Sequence, residues 1–235
     1  MQTLSTSSDL GISPMSRNLN LVFEPTAYTV AQALIDTEAY KVDFNRDKKD
    51  WFMWKSGIQA PCYCDCRKLL SFPTQRHMIA LAFATMINIQ FPKATTIIGV
   101  ATAGVPWASI VADMLGLQLA YVRANPKGHG LGKMVEGVVD KDSQVVVIDD
   151  LIASGESLMK AIKIIETETN SKVLGIQSIV NWNFTQMRNI LKDYTYIALT
   201  SYPQILQAAL LAGKINSDQL NQLLAFYLDP KTYEW

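Results

Sequence analysis

The chain has few of the residues on which metal and redox chemistry depend, with three cysteines and two histidines among 235 residues. All three cysteines fall in one short stretch, CYCDC, as Cys62, Cys64 and Cys66. Spacing of two puts their side chains on one face of a strand, yet a zinc site wants four ligands in wider C-x-x-C pairs, and no second cluster exists in the sequence. The better reading is small apolar thiols packed in a reduced interior. An excess of either charge is also missing, since 21 Lys+Arg balance 21 Asp+Glu. No global field favours a nucleic acid or an acidic membrane, so any anion site must be local. The longest strongly apolar run, Ile79 to Ile89, is well short of the roughly 20 residues that cross a bilayer. The first twenty residues lack a basic start followed by an apolar core, so a flexible tail over 1–20, a single domain over 21–235 and a cytoplasmic location are expected. Neither G-x-x-x-x-G-K-[ST] nor G-x-G-x-x-G occurs, which removes the common nucleotide fingerprints.

What is present alternates. Ala27, Val30, Ala31, Leu34 and Ile35 fall at helical spacing, with Thr26 as cap. Aromatic and β-favouring residues from Asp50 to Leu70, punctuated by Gly and Pro, suggest two strands with a turn near Ser56 to Pro61. Pro73 opens a long helix through about Gln90. Strand-like runs then follow at TTIIGV, LQLAYVR, QVVVIDD, KVLGIQSIV and YTYIAL, with helical stretches PWASIVADML and SLMKAIKIIETE among them. Such alternation argues for right-handed βαβ units and a mainly parallel sheet flanked by helices, the α/β class. Two further helices are expected after Pro203, with Asn216 or Ser217 capping the second.

Three segments carry chemistry. In VVVIDDLIASGES, Val145 to Ser157, a buried strand runs into two acids and then a small, hydroxyl-rich turn opening a helix near Ser157. Ligands in open α/β sheets gather at the carboxyl ends of strands, and the amides of a helix N-terminus favour an anion, so acids for hydroxyls and amides for phosphate suggest a sugar phosphate. In VRANPKGHGLGK, three glycines and one proline break regular structure around Arg123, Lys127, His129 and Lys133. That loop reads either as a solvated surface segment or as a lid over a polyanion. In IIGVATAGVPWAS, Ile97 to Ser109, Gly99, Ala101, Ala103 and Gly104 would let a ligand approach the backbone closely, although tight strand-to-helix packing would ask for the same residues.

Taken together these residues resemble a family. VVVIDDLIASGES is similar to the phosphoribosyl-pyrophosphate (PRPP) signature of type I phosphoribosyltransferases, and YVRANPKGHGLGKMVEG to the catalytic loop of orotate phosphoribosyltransferases. WKSGIQAPCYCDCRKLLSFP resembles that family's N-terminal substrate segment. The resemblance implies the type I fold, with a small N-terminal hood and C-terminal helices, and transfer of the phosphoribosyl group of PRPP to orotate. It implies catalytic roles for Lys127, His129 and Arg123 at the departing pyrophosphate. PRPP would be held by Asp149, Asp150, Leu151, Ile152, Ala153, Ser154, Gly155, Glu156 and Ser157, with Thr102, Ala103 and Lys55. Orotate would meet Tyr63, Cys64 and Ala153. Mg²⁺ would arrive on PRPP and need no dedicated protein ligand, and a homodimer would share the loop across its interface, with no nucleic-acid or membrane partner. The chain departs from the family pattern at Ala153, where many members carry Thr or Ser, at Gly128, at Ala60, and at Trp182, near a position that is arginine in some members. Two other readings stay open at this point: transfer to a different nucleobase, and a PRPP-sensing regulator without catalysis, against which the retained Lys127 and His129 speak.

Overall fold

Val145, Val146, Val147 and Ile148 are all fully buried, because the strand that carries them lies in the middle of a sheet covered on both faces. The computed structural model describes residues 27–54, 57–125, 133–182, 189–230 and 233. In chain order the helices are α1 (residues 27–36), α2 (Pro73–Gln90), α3 (Gly104–Leu115), α4 (Glu156–Thr169), α5 (Tyr202–Leu211) and α6 (Ser217–Leu228). The strands are β1 (Tyr40–Val42), β2 (Phe52–Met53), β3 (Gln59–Ala60), β4 (Cys62–Cys64), β5 (Thr96–Val100), β6 (Gln118–Val122), β7 (Val135–Glu136), β8 (Gln144–Ile152), β9 (Lys172–Asn181) and β10 (Thr195–Ser201). Six strands form the main sheet in the order β10-β9-β8-β5-β6-β7, parallel throughout except for the antiparallel β6–β7 pair.

Strand alternation sorts the apolar run into two cores. Val146 and Ile148 face Phe83 of α2 and Trp107 and Val111 of α3. Val145 and Val147 face Leu158, Ala161, Ile162 and Ile165 of α4. Each such side chain contributes about 1.5–3 kcal/mol when removed from water. Pro73 does stand at the first turn of α2, and the helix ends at Gln90 as its apolar pattern requires. Asn216 caps α6: its Oδ1 accepts from Gln219 N at 2.9 Å, and Gln219 Oε1 accepts from Asn216 N at 3.0 Å.

The hood differs in detail from the expected two strands. Its turn is tight, with Trp54 N donating to Ile58 O at 2.8 Å and Gly57 at φ +83°. Pro61 then separates β3 from β4, which pairs antiparallel with β1 through Tyr40↔Cys64 and Val42↔Cys62. Neither β1 nor β7 was expected, since strands of three and two residues give no readable period. An aromatic cluster fastens the hood to the sheet and the C-terminal helices. Trp182 packs on Trp54 at 4.7 Å and on Tyr202 at 4.1 Å between ring centres, and Trp54 meets Phe226 at 5.5 Å. The expected N-terminal tail and the Thr26 cap lie outside the described residues. No helix among the described residues is long and apolar enough to cross a membrane.

Candidate active site

Asp149 and Asp150 sit three and two residues before the end of their strand. β5 pairs with β8 only as far as Gly99↔Ile148 and then turns away, whereas β9 stays paired to Ile152↔Asn181. The departure of β5 leaves Asp149 and Asp150 unpaired on that side, at the switch in strand order where open α/β sheets take their ligands. Each carboxylate is braced by the next amide: Asp150 N donates to Asp149 Oδ1 at 2.9 Å, and Leu151 N to Asp150 Oδ1 at 2.8 Å. Burial pushes the Asp150 carboxyl above the usual carboxylate range, against the pull of the Leu151 amide, Asp149 and the Arg67 guanidinium. Asp149 lies toward Tyr196, whose phenol is pushed up first by burial. Tyr196 OH meets Ser178 Oγ at 2.6 Å, and Ser178 is the β9 partner of Asp149.

Beyond the acids the chain turns through Ala153 and Ser154 to Gly155, at φ +83°, and α4 begins at Glu156, one residue earlier than expected. Only glycine takes that left-handed angle without strain. Gly155, the N-cap of α4, brings no side chain to cap it, and Glu156 N donates to Ser154 Oγ at 3.5 Å. The start of α4 carries the positive end of the helix dipole, where an anion is favoured over a cation.

The small-residue turn after β5 lies against the same strand end. Ala103 is the N-cap of α3, the Ala101–Thr102 peptide is cis, and Thr102 is exposed. Gly104 is the contact point: a Cβ there would press on the Ile148 carbonyl oxygen and stand 3.1 Å from Asp149 Cα. Close packing alone accounts for this glycine, and it sets the backbone of the turn next to the acids.

Arg123 follows β6. Its amide donates to Met134 O at 2.9 Å, and its guanidinium is held by Glu136 at 3.1 Å and by Asn125 O at 3.2 Å. The Glu168 carboxylate of α4 accepts from the Met134 and Val135 amides at 3.0 to 3.1 Å, fixing the return of the chain. Lys55, Lys127 and His129 lie outside the described residues.

On the hood side, Cys64 and Cys66 are 3.8 Å apart at sulfur, and the 3-10 turn Cys66–Ser71 packs against β8. Tyr63 points to the other face of β4, stacked on Phe52 at 5.7 Å, so its main chain rather than its ring borders Cys64. Burial pushes the Cys62 thiol up to about 12, and the hydrogen bond to Cys64 with burial raises Cys66. Cys62 and Cys66 are buried packing thiols, as the apolar reading has them. Ala153 packs at the edge of the first core and Trp182 is buried.

Sequence reasoning misses Asp65 and Arg67. Asp65 caps the 3-10 turn and accepts from Arg67 Nε at 2.6 Å and Nη2 at 3.1 Å, and the Arg67 charge reaches Asp150. The D-x-R spacing is legible, but nothing local ties it to acids so far along the chain.

Residues 76–197 match the model of the phosphoribosyl transferase domain family. The chain is 36% identical to orotate phosphoribosyltransferase of Bacillus subtilis, over 88% of this chain and 94% of that one. It is 40% identical to the Lactobacillus johnsonii protein of the same name, over 76% and 85%. Among solved structures, orotate phosphoribosyltransferase from Aeropyrum pernix superposes with a TM-score of 0.66 at 27% identity, covering 80% of this chain and 99% of that one. Leishmania donovani UMP synthase superposes at 0.72 with 25% identity over 90% of this chain, which spans 44% of that longer protein.

Proposed function

The chain belongs to the orotate phosphoribosyltransferase family, and on that premise we propose which of its residues perform the reaction. The enzyme transfers the phosphoribosyl group of PRPP to orotate, giving orotidine 5′-monophosphate and pyrophosphate, a step of pyrimidine biosynthesis. The orotate N1–C1′ bond forms as the bond from C1′ to the pyrophosphate oxygen breaks, and pyrophosphate leaves with the electron pair.

One observation supports the site assignment: two adjacent carboxylates and, a few residues on, the glycine-led N-terminus of α4 follow the point where β5 leaves β8. Asp149 and Asp150 accept from the ribose 2′- and 3′-hydroxyls, and the amides of 153–157 hold the 5′-phosphate. The backbone at Thr102 and Ala103 borders the pyrophosphate, and Lys55 binds PRPP. The ribose becomes cationic as pyrophosphate departs, so two carboxylates beneath it stabilise that charge. Arg123, Lys127 and His129 meet the negative charge growing on pyrophosphate. The main chain at Tyr63 and Cys64 reads the pyrimidine edge, beside Ala153.

Mg²⁺ fits this donor set. Two carboxylates outside any group of three or more metal-binding side chains among the described residues suit a hard cation that keeps its waters and takes most of its oxygens from the substrate. When bound it neutralises pyrophosphate charge. Calorimetry should therefore find one PRPP site per chain, tightened by Mg²⁺ and weakened by a chelator; binding indifferent to Mg²⁺ would remove the metal from this reading.

The reading includes a homodimer. The segment 123–134 is bounded by β6 and β7 at the edge of the sheet, where Leu119, Tyr121 and Val138 are 40%, 36% and 77% exposed. A neighbour covering that edge would receive the segment in its own site. Lys127→Ala should lower kcat by more than about tenfold while PRPP binding changes less, because its partner charge grows in the transition state. Equal losses would point to a static clamp. Mixed with Asp149→Asn subunits, Lys127→Ala subunits should regain activity, since one site of the heterodimer then has both intact parts. No recovery after verified subunit exchange would assign each loop to its own chain. A cytoplasmic location, where three free thiols stay reduced, belongs to the same reading.

Ala153 offers no hydroxyl to orotate, and a neutral hydrogen bond contributes about 0.5–1.5 kcal/mol. Ala153→Ser should therefore lower the orotate KM by up to about tenfold with little change in kcat. A raised KM would mean that the pocket has been shaped around the methyl group.

A further inference from the structure

Orotate differs from uracil by a single carboxylate, so choosing it calls for a cation at the base end of the site. This inference rests on the orotate reading above. The walls described there supply none: Trp182 is a buried indole within an aromatic cluster, Ala153 a methyl group and Cys64 a thiol. Lys68 is directed elsewhere, its Nζ donating to Glu38 O at 3.2 Å.

Arg67 is placed differently. It leads out of β4 three residues after Cys64, on a 3-10 turn that packs against the strand carrying the acids. Asp65 holds it twice over, accepting from the Arg67 amide at 3.2 Å and from Nε and Nη2 at 2.6 and 3.1 Å. One carboxylate thus fixes both the turn and the plane of the guanidinium. That contact uses the Nε–Nη2 side of the fork. Among the described residues no hydrogen bond uses Nη1, and the side chain is 59% exposed. A guanidinium has five N–H donors in a rigid plane, and its free edge matches a carboxylate bidentately. Being already oriented, it loses little freedom on binding.

We propose that Arg67, oriented by Asp65, receives the carboxylate of orotate on its Nη1–Nη2 edge and so sets the preference for orotate over bases that lack a carboxylate. Asp65 is the positioning residue and Arg67 the one that touches substrate.

The test compares wild type with Arg67→Met and Arg67→Lys in two measurements. Saturation with each substrate gives KM values, and calorimetry gives the affinities of orotidine 5′-monophosphate and UMP, which differ only by the carboxylate. Arg67→Met should raise the orotate KM about 10- to 100-fold, leave the PRPP KM within about threefold, and bring the two nucleotides to equal affinity. Arg67→Lys should fall between, since it keeps the charge without the fork. An unchanged orotate KM, or equal weakening of both nucleotides, would overturn the proposal. If Arg67→Met does not fold, the Arg67→Lys nucleotide ratio decides: a ratio equal to that of wild type overturns it. Failure of wild type itself to use orotate would sink the orotate reading first, and this inference with it; normal orotate use by wild type and by Arg67→Met alike sinks this inference alone.

Discussion

Asp149→Asn combined with Asp150→Asn should lower kcat/KM for PRPP by roughly two to four orders of magnitude and leave the fold intact. Each carboxylate offers charge-assisted hydrogen bonds of about 1.5–3 kcal/mol to a hydroxyl, and their adjacency makes the two losses interdependent rather than strictly additive. The fold should survive because the bonds the two carboxylates accept from the next amides stay within their own strand and Asn can accept them too. Stability should even rise at neutral pH. The folded-state pKa of Asp150 is raised above its unfolded value, chiefly by burial. Below the unfolded pKa both states are protonated and the group costs nothing. As pH climbs from there through the raised folded value, the unfolded state releases its proton first and stability falls. Above that window the cost is complete, and Asn removes it. Thermal melts of Asp150→Asn and wild type should coincide in acid and separate in favour of the mutant as pH rises through that window. A mutant less stable than wild type at neutral pH would contradict the burial argument, and unchanged activity of the double mutant would contradict the ribose assignment.

Gly104→Ala should damage both stability and activity. The new Cβ would push on the Ile148 carbonyl oxygen and on Asp149 Cα, 3.1 Å away, both backbone atoms that cannot swing aside. Overpacking of this kind costs about 1–3 kcal/mol. Moving β8 there also moves the acids, and a misplacement of about 1 Å is enough for a 100-fold loss of rate. Gly116→Ala is the control. It too is strained, at φ +62°, but has open space around it and ends α3 far from the acids. It should cost about 1 kcal/mol and leave kcat/KM for PRPP unchanged. Equal activity in the two variants would mean that Gly104 serves packing alone.

Much of the fold is legible in the sequence alone, for reasons that differ by element. α2 is readable to the residue because Pro73 is suited to a first helical turn and the apolar pattern stops at Gln90. The central strand is readable because burial on both faces leaves an unbroken apolar run. Its end is not, since β8 continues through Leu151 and Ile152 only because β9 continues beside it, a tertiary fact. β1 and β7 are too short to carry a period. The contact of Gly104 with Ile148 and the packing of the Cys66–Ser71 turn on β8 join segments distant in sequence, so no window of residues could reveal them. Trp182 shows the same limit from the other side. Sequence marks it as a departure near the base site, and the structure places it in an aromatic cluster with Trp54 and Tyr202 that seats the hood.

On the proposed assignment, these carboxylates, amides and hood residues serve transfer to orotate and not to another base. The most direct measurement is pyrophosphate release by the purified protein with PRPP, Mg²⁺ and equal concentrations of orotate, uracil, hypoxanthine or adenine, with the nucleotide product identified in each. Orotate should be consumed fastest, yielding orotidine 5′-monophosphate and pyrophosphate in equal amounts. Faster turnover of any of the other three bases, or no base-dependent release of pyrophosphate at all, would contradict it.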